Sequence, residues 1–90
     1  EGYMKIKIDN VDLLYQQSAD SNGEECVDFF DPEKVEEISW KKWLFFGKIV
    51  KKIEPLFLFR IYKDLKDASI TKDMWRNLIR TELSKMERVE

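Results

Sequence analysis

The stretch Asp31-Pro32-Glu33-Lys34-Val35-Glu36-Glu37-Ile38-Ser39-Trp40-Lys41-Lys42-Trp43 decides how this 90-residue chain is read. An aspartate accepts bonds from the free amides at a helix start, and proline suits the first helical position. Glu33, Glu36 and Glu37 match the positive end of a helix dipole, and Lys48, Lys51 and Lys52 match the negative end. At about 100° per residue, Val35, Ile38, Trp43, Phe45, Phe46, Ile49, Val50 and Ile53 fall on one arc. Glu33, Lys34, Glu37, Lys41, Lys48, Lys51 and Lys52 take the opposite arc. The pattern predicts an amphipathic helix opening at Asp31. Two features break it: Trp40 and Leu44 lie together on the polar side, and Lys42 lies inside the apolar arc.

Toward the C-terminus, Pro55 has no amide to donate and must interrupt that helix. Phe57, Ile61 and Leu65 then recur every four residues, with Leu58 and Tyr62 beside them. This predicts a second helix, since the charges keep the helical period through Asp67. The rival is a strand over Leu56–Tyr62, which an apolar run alone does not exclude. After a connection at Asp67–Thr71, Thr71 is placed to cap a third helix, with Asp73 in its first turn. Ile70 and Trp75 occupy the positions of a hydrophobic staple. Met74, Trp75, Leu78, Ile79, Leu83 and Met86 form the predicted buried stripe, with Glu82 in its midst. A direct Glu82–Lys42 pair is one way to seat both stray charges.

Toward the N-terminus the period is two. Met4, Ile6 and Ile8 alternate with Lys5 and Lys7; Val11, Leu13 and Tyr15 follow less cleanly, because Leu14 is apolar, and a short helix is the rival there. Asp9-Asn10 suits a two-residue turn, because both residues tolerate positive φ. Residues 18–23 read as a polar loop with an Asn-Gly signal. Cys26–Phe30 reads as a short third strand with Asp28 facing out. The expected fold is α+β: a small three-stranded antiparallel sheet followed by three helices. It forms a single domain over 1–90, strand-rich and acidic in 1–30, helical and basic in 31–90.

Composition supports a folded domain. The apolar share is 43% and the charged share 38%, far from the apolar poverty of disordered chains. The net charge of −2 conceals a split: residues 1–33 hold nine acids against two lysines, and residues 34–90 hold fourteen basic residues against nine acids. The longest apolar runs, Trp43–Phe46 and Leu56–Phe59, are too short to span a bilayer, so no integral membrane segment is expected. One cysteine permits no internal disulfide, which fits a reducing, cytoplasmic setting. The opening Glu1-Gly2-Tyr3 fits either an excised piece or a natural start at Met4.

The sequence contains no histidine, the commonest general base and metal ligand. It shows no Gly-rich phosphate loop, no metal-ligand spacing and no nucleophile–base pair. Asp28, Asp31 and Glu33 can form a carboxylate cluster, but a helix cap plus solvated strand charges explains them better. Cys26 reads as a small core residue, since no neighbour in sequence would activate it. The expectation is no catalytic, metal or cofactor site.

Trp40 and Leu44 either pack on the strand layer or anchor a partner interface, where tryptophan is favoured. Lys72, Arg76 and Arg80 stand at i, i+4 and i+8 with Asn77 nearby. Over 56–86 this resembles helix-turn-helix spacing, in which such a helix would enter a major groove. Lys41, Lys42, Lys48, Lys51, Lys52, Arg60 and Lys63 form a second basic region interleaved with Trp and Phe. It can meet nucleic acid, an anionic membrane surface or the acidic first third. The leading expectation is a non-enzymatic protein-interaction module whose partner is another protein or a second copy. The alternative is a nucleic-acid-binding domain using a basic helix.

Overall fold

The structure, a computed structural model, describes the backbone of residues 2–43 and 48–87, and side chains among them outside 34–53. Strands β1 (Met4–Ile8) and β2 (Val11–Ala19) pair antiparallel, with Ile8 opposite Val11. Asp9 and Asn10 make the turn with φ of 51° and 68°. Positive φ at both central residues matches the right-handed twist of the flanking strands. The next turn is built on Asp20. Its Oδ1 accepts the amides of Asn22 and Glu24, both at 2.9 Å, and Gly23 supplies a φ of 82°. These bonds, that from the Glu24 amide foremost, hold the Asp20 carboxyl below its ordinary pKa.

Strands β3 (Glu25–Trp43) and β4 (Lys48–Ile61) complete an antiparallel sheet of order β1-β2-β3-β4, and helix α1 (Lys72–Glu87) follows. The architecture is α+β, with four strands and one helix among the described residues. The expectation of three strands and three helices is therefore corrected at two places. The helix predicted from Asp31 is strand, apart from residues 44–47, which lie outside the described residues. The segment Leu56–Ile61 is also strand, the rival reading of that run.

Both corrections have a physical cause. Residues 35–53 are rich in Val, Ile and Trp, which suit a pleated surface and lose side-chain freedom in a helix. Val27 and Phe29 are already fixed in β3 between β2 and β4, so the strand is extended before it reaches Asp31. Asp31 does cap an amide, since its Oδ1 accepts from Glu33 N at 2.9 Å. That bond shapes an irregularity in β3 between Asp31 and Val35, not a helix start. Pro55 is tolerated because β4 is an edge strand.

Register sorts the residues onto two faces, because alternate strand residues point to opposite sides. Tyr15, Phe29 and Phe59 form one row and Val27 and Ile61 the next, both on the side of α1. A second irregularity, at Phe29/Phe30, inserts Leu58 into β4, so that Leu58 and Phe59 both pack toward the core. This extra residue interrupts the run's period of two.

Helix α1 closes that side. Thr71 caps it as expected, with its Oγ1 accepting from Met74 N at 3.2 Å. Ile79 is buried among Ile8, Leu13, Val27, Phe29, Phe59 and Ile61, with Trp75, Leu78 and Leu83 around it. Met74 and Met86, expected in the stripe, are exposed at its two ends. Gln17 fastens the preceding loop: its Oε1 accepts from Leu65 N at 2.8 Å while its Nε2 donates to Cys26 O at 2.9 Å. No helix among the described residues is long and apolar enough to cross a membrane.

Candidate interaction surface

The face turned away from α1 is built differently. Across it, register sets Lys5, Leu14, Phe30 and Phe57 in one row, and Gln16, Asp28 and Arg60 in the next. Phe30 is the hub of the first row. Tyr3 meets it edge-on with ring centroids 4.9 Å apart, and Phe57 does so from the other side at 5.8 Å. Tyr3 keeps 37% of its surface exposed and Phe57 47%. Edge-to-face packing fixes the rings while leaving apolar area in water. Beside this strip, a groove of about 440 Å³ is lined by Lys5, Lys7, Asp12, Leu14, Pro32 and Glu33, among others.

The second row carries the most enclosed charge. Asp28 is only 7% exposed, although the alternation predicted it facing out to solvent. The direction was right, but Arg60 covers it. Arg60 Nε donates to Asp28 Oδ1 at 2.6 Å and Nη2 to Oδ2 at 3.1 Å, a two-pronged pair between cross-strand neighbours. The Asp28 carboxylate, and then the Tyr62 hydroxyl, hold the Arg60 guanidinium even more firmly protonated than usual. The Tyr62 ring lies 6.0 Å from the guanidinium carbon, at cation–π range. Cys26 is fully buried, and burial raises its thiol pKa, as a packing residue requires and a nucleophile does not.

The expected site residues fare unevenly. Trp40 lies in β3, so the helical turn that placed it beside Leu44 is absent; its side chain and all of Leu44 lie outside the described residues. Lys72, Arg76, Asn77 and Arg80 do lie on α1, but α1 is the single helix among the described residues, and the helix-turn-helix geometry over 56–86 is absent. Arg80 is bound to the first turn, donating to Asp9 at 2.9 and 3.3 Å and to Asn77 Oδ1 at 2.8 Å. The Asp9 bond also raises its pKa. Arg76 donates to Lys7 O at 3.3 Å. Two of the four residues thus tie the helix to the sheet.

Glu82 bonds Lys85 at 3.2 Å, while the Lys42 side chain lies outside the described residues. Asp28 and Asp31 are engaged by Arg60 and by an amide, and no group of three or more metal-ligand side chains gathers among the described residues. The sequence reading missed Tyr3, Phe30, Phe57 and the Asp28–Arg60 pair as a surface. Its signal was the alternation Phe59, Arg60, Ile61, visible once the run is read as strand. A scan of protein-family models and comparisons with curated proteins and solved structures each found no match.

Proposed function

We propose that this chain is a small non-enzymatic interaction module that receives a protein partner on the Tyr3–Phe30–Phe57 strip. The observation that carries the reading is the placement of two half-exposed aromatic rings, ordered by a third, on the sheet face opposite the only described helix. Aromatic side chains at rigid positions give contact area at low entropic cost and are enriched at interfaces. The Asp28–Arg60 pair stiffens the floor next to the strip. The absence of histidine and the buried, poorly acidic Cys26 thiol support a binding role over catalysis. The unpaired thiol also suits a cytoplasmic setting.

The test is association. Sedimentation velocity over a wide concentration range, with capture from native extract, is run on the wild-type chain and on Phe57→Lys. Self-association or specific capture that the variant abolishes supports the reading. A monomer at every concentration, with identical proteins captured by both chains, overturns it.

A further inference from the structure

Beyond the four-stranded body, β3 and β4 continue together. The last β2–β3 pair toward this end is Leu14–Phe30, whereas β3 and β4 stay paired from Val35–Pro55 to Trp43–Lys48. The extension is a two-stranded ribbon among the described residues. Such a ribbon is marginal in water on its own. Its charge is one-sided: residues 38–53 contain five lysines (41, 42, 48, 51 and 52) and no acid. With a chain total of −2, everything outside 38–53 sums to −7. Register sets Ile38 opposite Lys52, Ser39 opposite Lys51, Lys42 opposite Ile49 and Trp43 opposite Lys48. Lysines and large apolar residues therefore share the same short length of ribbon.

We propose that this ribbon, residues 38–43 and 48–53, docks the protein on an anionic lipid surface. The charge layout supplies both attraction and orientation, since a negative surface draws the +5 ribbon and repels the −7 remainder. The apolar content selects the lipid. Trp40 and Trp43 suit either ligand, but Ile38, Ile49, Val50 and Ile53 offer no ring on which a nucleic-acid base can stack, whereas the acyl boundary accepts aliphatic and aromatic groups alike. Tryptophan favours the headgroup level, and lysine stems can lie along apolar surface while the ammonium reaches phosphate. The proposal goes beyond the protein-interaction reading and does not depend on it, because Tyr3, Phe30 and Phe57 lie outside the ribbon.

Vesicle co-sedimentation of the full chain tests it, with phosphatidylserine–phosphatidylcholine vesicles against phosphatidylcholine alone. The expected result is binding only to the anionic vesicles, weakening as salt rises. The double variant Lys51→Gln, Lys52→Gln should bind roughly thirtyfold more weakly, at about fivefold per lysine near an anionic surface. The control Lys63→Gln, Lys66→Gln, in the loop after β4, should bind as the wild type does. Circular dichroism confirms that both variants fold. In a Trp75→Phe background, Trp40 and Trp43 fluorescence should shift to the blue on anionic vesicles. Three outcomes overturn the proposal: no vesicle binding at low salt, equal loss in the ribbon and control variants, or tighter binding to a single-stranded oligonucleotide than to the vesicles.

Discussion

The two faces of this sheet are made by the same four strands and solve opposite problems. On the α1 side, Phe29 and Phe59 stack with centroids 4.9 Å apart, and Ile8, Leu13, Val27, Ile61 and Ile79 close around them. The apolar area of that face is removed from water. On the other side, the central position is a carboxylate bound by a guanidinium, and the aromatic rings stand partly in solvent. The first face supplies the free energy of folding through burial. The second holds the strands in register through one directed pair and leaves surface for contact. Among the described residues, one helix covers one face of the four-stranded sheet, and the chemistry of the other face is that of a side such a helix does not reach.

Truncation should separate the faces most sharply at their centres. Phe29→Ala removes the ring at the middle of the covered face and should destabilise the fold by about 3–5 kcal/mol, the range for a buried phenylalanine. Urea unfolding measures it. A loss below about 1 kcal/mol would mean that α1 does not seal this face. On the open face, Arg60→Met leaves the Asp28 carboxylate enclosed with no charge partner and should lower the urea midpoint clearly, though less than Phe29→Ala. Adding Asp28→Leu to Arg60→Met should restore much of the loss, because a pair replaced by apolar groups of similar size is often near neutral. If the double variant is no better than the single, Asp28 is not the reason for the loss.

A third substitution tests the join between α1 and the body, and it bears on what the sequence discloses. Thr71 and Asp31 each accept a following amide, at 3.2 Å from Met74 and at 2.9 Å from Glu33. Each is followed by apolar residues at helical spacing. Only Thr71 starts a helix, and Trp75 N donates to Thr71 O at 3.0 Å as its first turn. The chain reaches Thr71 out of a turn, with Ile70 N bonded to Asp67 O. It reaches Asp31 out of a strand whose previous residue, Phe30, already pairs with Leu14 and Phe57. The local code is nearly the same, and distant partners decide. The first hairpin, the Asp9-Asn10 turn and α1 were legible because their bonds are close in sequence. The β3–β4 pairing was not, since Asp28 and Arg60 stand 32 residues apart. The inserted Leu58 further hid a period of two. The aromatic strip was missed for the same reason, because Tyr3, Phe30 and Phe57 become neighbours only through three strand pairings. Thr71→Ala should cost about 1 kcal/mol, as loss of a helix cap does, with no change in vesicle binding or association. A cost several times larger would mean that Thr71 does more than cap α1.

A modest effect on stability, and the one that bears most on function, is expected at Phe57. Phe57→Ser gives up one edge contact with Phe30 and a ring already 47% exposed. The cost should be about 1–2 kcal/mol, from the edge pair with Phe30 and the buried half of the ring together. Phe57→Ser should unfold in urea at a midpoint well above that of Phe29→Ala and yet lose association. The comparison of faces turns on this split. If Phe57→Ser destabilises as strongly as Phe29→Ala, Phe57 is part of a second core and the open face is not a surface at all. If it leaves both stability and association untouched, the ring carries no contact and the strip is not an interaction surface.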